Sequence, residues 1–234
     1  MRKILLATAL AFSLPALADG EGPRPLPNTT ILELKLGFYQ PRVYDSTGVT
    51  GDPYVQTYGN NPMLLGEFEV DHSFWHGYGY LGLGFSIGYG EKYAKALLAN
   101  GSPSGESTGL MVLPLRLMGV YRYDVLAHLY HIPLVPYAEL GFVSYPWWTN
   151  KGGMVETVNG SKGQGVVWGW GFTVGVALEL DFLSPTYARE AKEDSGIYHF
   201  YIFGEFNDDF ANNFGGNSIN LGAAYFTFGL AFEF

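Results

Sequence analysis

The chain has no cysteine. That excludes disulfides, thiolate metal centres, a cysteine nucleophile and a lipidated N-terminal Cys. Beyond the N-terminus it also lacks any apolar run of the 18 or so residues that a membrane-spanning helix requires. Charge is scarce, at 15% of residues, and acidic on balance: 13 Lys and Arg stand against 22 Asp and Glu, a net charge of −9. There is no Lys/Arg cluster to neutralise phosphates, so a nucleic-acid partner is excluded. What the 234 residues do contain is 32 glycines and 17% aromatics. Without a helical span, that composition points to an all-β chain.

Arg2 and Lys3 form a short basic start, Ile4 to Leu17 is apolar apart from Ser13, and Ala16-Leu17-Ala18 offers small residues for cleavage. Residues 1–18 therefore read as a secretory signal peptide. Residues 19–28, rich in Pro and Gly, read as an irregular periplasmic lead. Residues 29–234 form the remaining domain.

From Thr30 the chain alternates. Leu32, Leu34, Leu36 and Phe38 fall on one face of a strand, and Glu33, Lys35, Gly37 and Tyr39 on the other. The same period recurs seven more times. Phe68 and Val70 oppose Glu67 and Glu69. Leu81 to Tyr89 present large residues against glycines. Leu115 and Leu117 oppose Arg116, with Tyr121 opposing Arg122. Leu140 and Phe142 oppose Glu139. Trp168 to Leu180 oppose Gly169 to Asp181. Phe200 and Ile202 oppose His199 and Tyr201. Phe226 to Phe234 oppose Tyr225 to Glu233. Either a soluble barrel buries the large residues inward, or a membrane barrel turns them out to lipid. Charges deep within the strands, opposed to the apolar face, would be intolerable in a dry soluble core. The expectation is an eight-stranded antiparallel transmembrane up-and-down β-barrel, multi-pass in a Gram-negative outer membrane.

With the first strand rising outward from the periplasm, the links near 40–61, 91–107, 148–165 and 208–219 are external. The links near 71–77 and 124–133 are short inner turns. Ser184 followed by Pro185 marks the start of a short helix in the third inner link, ending before Gly196.

Several motifs invite a sharper reading. Gly77-Tyr78-Gly79-Tyr80-Leu81-Gly82 has the letters of a dinucleotide fingerprint, but lies within an alternating strand and lacks the strand–turn–helix context. Trp75, Trp147, Trp148, Trp168 and Trp170 read as interfacial girdles, with stacking of Trp147 and Trp148 on an external sugar as the alternative. Glu33, Lys35, Glu67, Glu69, Arg116, Arg122, Glu139, Glu179, Glu205 and Glu233 read as a lumen charge network that plugs a narrow interior. Within it, Arg122 is expected beside Glu139. Carboxylates outnumber cations there, so some should be protonated, hydrated or near the ends. Phe228, Leu230, Phe232 and Phe234 read as the terminal strand recognised by the outer-membrane assembly machinery.

His72 and His76 fall in the first inner turn, His128 and His131 in the second, and His199 at the inner end of strand seven. None is placed near the outer leaflet, where a lipid A acyltransferase or deacylase of this size would need one. Asp71-His72-Ser73 cannot converge as a triad, because adjacent strand residues face opposite sides. No catalytic residue, cofactor or metal site is assigned.

Ile132-Pro133-Leu134-Val135-Pro136-Tyr137-Ala138-Glu139-Leu140-Gly141, Gly196-Ile197-Tyr198-His199 and Phe228-Gly229-Leu230-Ala231-Phe232-Glu233-Phe234 resemble an uncharacterised family of small outer-membrane β-barrels of myxobacteria and their relatives. The resemblance implies the fold and the membrane, and no activity. The functional expectation is a monomer in outer-membrane lipid with a structural or surface-interaction role and an unidentified external ligand. The alternatives are a narrow channel or transport accessory and, less favoured, a lipid A-modifying enzyme. Protease added to whole cells should cut within 40–61, 91–107 or 148–165 and spare 182–196; mass spectrometry of the fragments reads this, and cleavage at 182–196 would invert the topology.

Overall fold

The computed structural model describes residues 29–97, 103–151, 154–155, 157–158, 161–216 and 219–234. The signal peptide and the lead assigned to 1–28 lie outside the described residues. The strands are β1 (Thr30–Tyr39), β2 (Met63–His76), β3 (Tyr80–Leu97), β4 (Pro103–Val112, resumed as Leu115–Arg122), β5 (Leu134–Lys151), β6 (Gln164–Glu179), β7 (His199–Ala211) and β8 (Ala223–Glu233). Each pairs antiparallel with its neighbours in sequence. β8 returns to β1 from Ile31↔Glu233 to Gly37↔Thr227, which closes the ring. The break in β4 falls at Leu113-Pro114, where proline has no N–H to donate. The ladder crosses the gap through Gly88 N to Pro114 O (2.8 Å) and Leu113 N to Pro146 O (2.9 Å).

Period two divides the side chains as the sequence implies. Leu36, Phe38, Leu140, Phe142 and Phe228 are 60–66% exposed on the outer surface. A continuous apolar wall of this kind suits lipid and not water. Closure matters for the same reason, because an unpaired strand edge has no hydrogen-bonding partner in hydrocarbon.

The inner face departs from expectation in one respect: toward both ends, apolar residues and tyrosines share it with the charges. At the end bearing the long connections, Tyr39, Tyr54, Met63, Leu65, Leu110, Val112, Val143, Tyr145, Val167, Leu221 and Tyr225 form an apolar layer. At the other end Ile31, Val135, Tyr137, Ala177, Tyr201, Phe203 and Ala231 form a second. Eight strands leave an interior that side chains must fill, and charges alone cannot close-pack it.

The connections also differ from the sequence reading. Residues 91–97 and 103–107 continue β3 and β4 as a paired ribbon, joined through Lys95↔Ser107 and Leu97↔Pro103. β5 likewise runs to Lys151. At 18 residues, β3 and β5 exceed the 9–11 that cross a bilayer. Once the register is set inside the membrane, the ladder continues beyond it. At the short-turn end β2 extends to His76, so His72 and His76 lie on the strand and not in a turn. The fingerprint-like glycines start in the β2–β3 turn, where Gly77 N donates to Gly79 O (3.0 Å) and Gly79 adopts φ 135°; they are not all within a strand. The second short link contains helix α2 (Val125–Tyr130). The helix expected after Ser184-Pro185 spans Pro185–Ser195 and ends on left-handed Gly196, although the Ser184 hydroxyl makes no capping bond.

Gly229 sits where β8 meets β1, and a Cβ there would lie 2.2 Å from Leu34 O and 2.5 Å from the Phe203 ring. Gly66 has only the Leu36 side chain nearby, at 3.8 Å. Gly229→Val should lower the urea midpoint of the refolded barrel by an overpacking cost of roughly 1–3 kcal/mol or more. Gly66→Ala should leave it nearly unchanged. Equal midpoints for the two variants would contradict this account of closure.

Candidate functional site: the barrel interior and its two ends

The charged residues fill the middle of the lumen and interleave with both apolar layers, Asp71 and Glu233 level with Ile31 and Asp209 level with Ala223. Glu33 and Lys35 of β1 face inward by alternation, as do Glu67, Glu69 and Asp71 of β2, Arg116 and Arg122 of β4, Glu139 of β5, Glu205 and Asp209 of β7, and Glu233 of β8; all are buried. The register Lys35↔Glu67 sets a basic residue opposite an acidic one, whereas Glu33↔Glu69 sets two carboxylates side by side, and Lys35 reaches both of these.

Three cations organise this layer. Lys35 Nζ lies 2.8 Å from Glu69, 3.1 Å from Glu33 and 3.1 Å from Glu205. Arg116 donates to Asn207 (2.9 Å), Thr173 (2.8 Å) and Asp209 (3.3 Å). Arg122 pairs with Glu33 and, at 2.9 Å, with Asp71, while its guanidinium stacks 4.5 Å above the Tyr137 ring. Neutral donors serve three of the carboxylates. Thr227 (2.6 Å) and Tyr137 (2.8 Å) donate to Glu205. Tyr145 and Tyr225 donate to Asp209. Tyr201 (2.6 Å) and Tyr80 (3.2 Å) donate to Glu233.

The expected pairing of Arg122 with Glu139 is not what forms. In the β4–β5 register Arg122 stands opposite Tyr137, and Glu139 stands opposite Val120. Arg122 instead reaches across the lumen to β1 and β2. Neither oxygen of Glu139 or of Glu67 has a hydrogen-bond partner among the described residues. Glu139 lies with Glu69 and Asp71 in a group whose ligand atoms are within 4.8 Å of one another, and Lys35 and Arg122 already bond two of its members. Glu179 does not join the layer. It is partly exposed at the short-turn end, 3.7 Å from His199.

Several interior residues were not singled out from sequence. Asp71 and Asp209 were assigned to links, yet each continues the parity of its strand: Asp71 follows Glu67 and Glu69, and Asp209 follows Glu205 and Asn207. That parity was the available signal. Parity also set Tyr201 and Tyr225 on the inward side, but not which carboxylates their hydroxyls meet.

The aromatic girdle needs one correction. Trp75, Trp168 and Trp170 are exposed on the outer surface, and Trp148 lies against Tyr89. Trp147 has the opposite parity and faces inward, packed against the apolar layer at the long-connection end. There it helps to line an open cavity of about 400 Å³, with Val43, Tyr54, Thr108, Leu110 and Thr149. Helix α1 (Pro53–Tyr58) frames this mouth. Asp52 caps it by accepting from Val55 N (3.1 Å), and Pro53 opens its first turn. Tyr54 donates to Asn61 O (3.2 Å), and burial, with Tyr58 and Asp52 nearby, pushes its hydroxyl up to about 12. The phenol therefore remains a donor at neutral pH.

The histidines gather at the opposite end. His76 Nε2 and His128 Nε2 lie 3.2 and 3.3 Å from the same Asp124 oxygen, and His199 Nδ1 lies 2.7 Å from Asp181. His72 bonds outward to Thr30 (3.1 Å), Ser73 meets Thr29 (3.0 Å) and Asp71 holds Arg122. Asp71, His72 and Ser73 therefore do not converge. His131 takes a left-handed conformation that ends α2.

A closed antiparallel ring with an apolar outer wall and a buried polar interior defines the class: an eight-stranded outer-membrane β-barrel. No family model and no curated protein sequence matches the chain. Among solved structures it is similar to Neisserial surface protein A, at 9% identity over 88% of this chain and 97% of that one, TM-score 0.47. It is also similar to OprG of Pseudomonas aeruginosa, at 8% identity over 88% and 96%, TM-score 0.44. A third is Ail of Yersinia pestis, in complex with the heparin analogue sucrose octasulfate, at 8% identity over 88% and 97%, TM-score 0.43. All three are small outer-membrane barrels, and at these values the likeness carries no functional argument.

The interior geometry separates two carboxylates of equal charge. Glu33→Ala removes a partner of both Arg122 and Lys35 and should destabilise the barrel by about 3–5 kcal/mol, as expected for an uncompensated buried charge. Glu139→Gln removes no hydrogen bond seen among the described residues and should cost well under half as much. Urea unfolding of both variants in one detergent measures the difference, and a larger loss for Glu139→Gln would reverse the assignment.

Proposed function

We propose that the protein is a monomeric surface-interaction protein whose barrel is a closed scaffold and whose working part is the mouth with the long connections. In this reading a signal peptide and the assembly machinery deliver the chain to the outer membrane, with the long connections outside. The observation that carries it is the filling of the lumen. Lys35, Arg116 and Arg122 are buried and each bonds two or more partners drawn from other strands. Apolar layers lie on either side. Opening a conducting path would break several of these contacts together and leave buried charges unpaired.

The mouth offers what a ligand site requires: an open cavity with apolar walls, the ring of Trp147, and the polar groups of Thr108 and Thr149. The protein acts in this reading as a binder and not as an enzyme, since the histidines lie at the far end from the mouth. The likeness to the myxobacterial barrel family, carried by Ile132–Gly141 and Phe228–Phe234, belongs to the same proposal and adds no activity to it.

Planar-bilayer recording on the refolded protein should show no steady unitary conductance. Cells displaying Trp147→Ala should lose surface adhesion while the variant keeps the heat-modifiable gel migration of a folded barrel. A steady conductance altered by Lys35→Met would promote the channel reading, and adhesion unaffected by Trp147→Ala would remove the mouth from the function.

A further inference from the structure

At the short-turn end the last residues of β6 and the first of β7 bring three potential ligands together. Glu179 and Asp181 are two apart and share a face, and His199 is two before Tyr201, the register partner of Glu179. Leu180 N donates to Phe200 O (2.8 Å), so the pairing continues one step past the strand and sets Asp181 opposite His199. The 3-10 turn Asp181–Leu183 then begins.

Asp181 is held in place: Phe200 N donates to one of its oxygens (3.2 Å), and the other lies 2.7 Å from His199 Nδ1. The same Nδ1 lies 3.7 Å from Glu179 Oε1. Ligand atoms of all three residues fall within 4.8 Å of one another. Bonds of about 2.0–2.2 Å to a tetrahedral zinc ion put adjacent ligand atoms roughly 3.4 Å apart, and the two separations at His199 Nδ1 fall on either side of that value. The other oxygen of Glu179 is buried with no hydrogen-bond partner among the described residues. The contact between His199 and Asp181 leaves this oxygen unmatched. A further imidazole is close: the His128 ring of α2 packs edge-on to His199, with centroids 5.8 Å apart. His128 Nε2 is in turn held by Asp124 (3.3 Å), the carboxylate support that orients metal-binding histidines.

We propose that Glu179, Asp181 and His199 bind a divalent transition-metal ion of the zinc class, with His128 or water completing the coordination. This replaces the sequence expectation that the chain has no metal site. Imidazole beside two carboxylates favours zinc-like ions, whereas calcium and magnesium prefer oxygen ligands alone. The ion would clasp the ends of β6 and β7 at the turn end of the barrel, and with His128 would tie α2 to them. The site is partly exposed and outside the apolar band, so an ion reaches it without crossing the lumen.

The test uses the refolded full chain in detergent, stripped with chelator and dialysed, then titrated with ZnCl₂ by calorimetry. One saturable site of micromolar or tighter affinity is expected, with a rise in unfolding temperature and no displacement by millimolar Ca²⁺. His199→Gln and Asp181→Asn should each weaken binding at least tenfold, while His72→Gln and His131→Gln should not. Gel heat-modifiability establishes that each variant is folded. X-ray absorption of the wild-type zinc complex, which needs no variant, should show nitrogen and oxygen ligands with imidazole scattering. Absence of saturable zinc uptake, uptake retained by folded His199→Gln, or an imidazole-free zinc environment would each overturn the site.

Discussion

The closed ring of this chain follows from one constraint: within hydrocarbon, each backbone N–H and C=O must find a partner inside the protein. An open sheet cannot meet it, so β8 must return to β1. The return is made by the register from Ile31↔Glu233 to Gly37↔Thr227, with further bonds between Thr30 and Phe234. Closing with only eight strands makes the interior narrow, and a narrow interior must be filled. Gly229 at the seam and the inward charges of β1 and β2 are two consequences of that geometry.

The filling is layered. Apolar and tyrosine residues gather toward both ends, and ion pairs fill the middle and reach into both of those layers. The ion pairs do more than neutralise charge. Lys35 joins β1 to β2 and β7, Arg116 joins β4 to β6 and β7, and Arg122 joins β4 to β1 and β2. All but the Lys35–Glu69 pair cross the ring where backbone bonds cannot, because the ladder connects only neighbours. Removing one partner leaves a charge in a dry interior, so the links are costly to break even where their net stabilisation is modest. Tyrosine hydroxyls add neutral donors to Glu205 and Asp209, which Lys35 and Arg116 also reach, and to Glu233.

The two ends of the barrel are chemically unlike. The mouth has a capped helix, an indole and a cavity between apolar walls. The turn end has histidines and carboxylates on strand termini and on α2. The first arrangement carries the proposed recognition role, and the second carries the proposed metal site. Both are built where the ladder ends, since only there do side chains leave the wall and lumen that alternation imposes.

Alternation alone was enough to read the number of strands, their lipid-facing sides and the inward charges from the sequence, because period two is local and survives without knowledge of neighbours. Glu33, Lys35 and Arg116 were legible for that reason. Asp71 and Asp209 were within reach by parity but lay beyond the strand ends assigned to them. Partner choice was not legible. Arg122 stands beside β5 in the chain's order, yet it pairs with Glu33 and Asp71 across the lumen. The meeting of Asp181 with His199 was equally hidden, whereas the inward turn of Trp147 was within reach by the parity of Leu140 and Phe142. A strand's pattern states which face a residue occupies. Which residue it meets depends on register, on curvature and on how long the ladder runs past the membrane, and only the closed ring decides those.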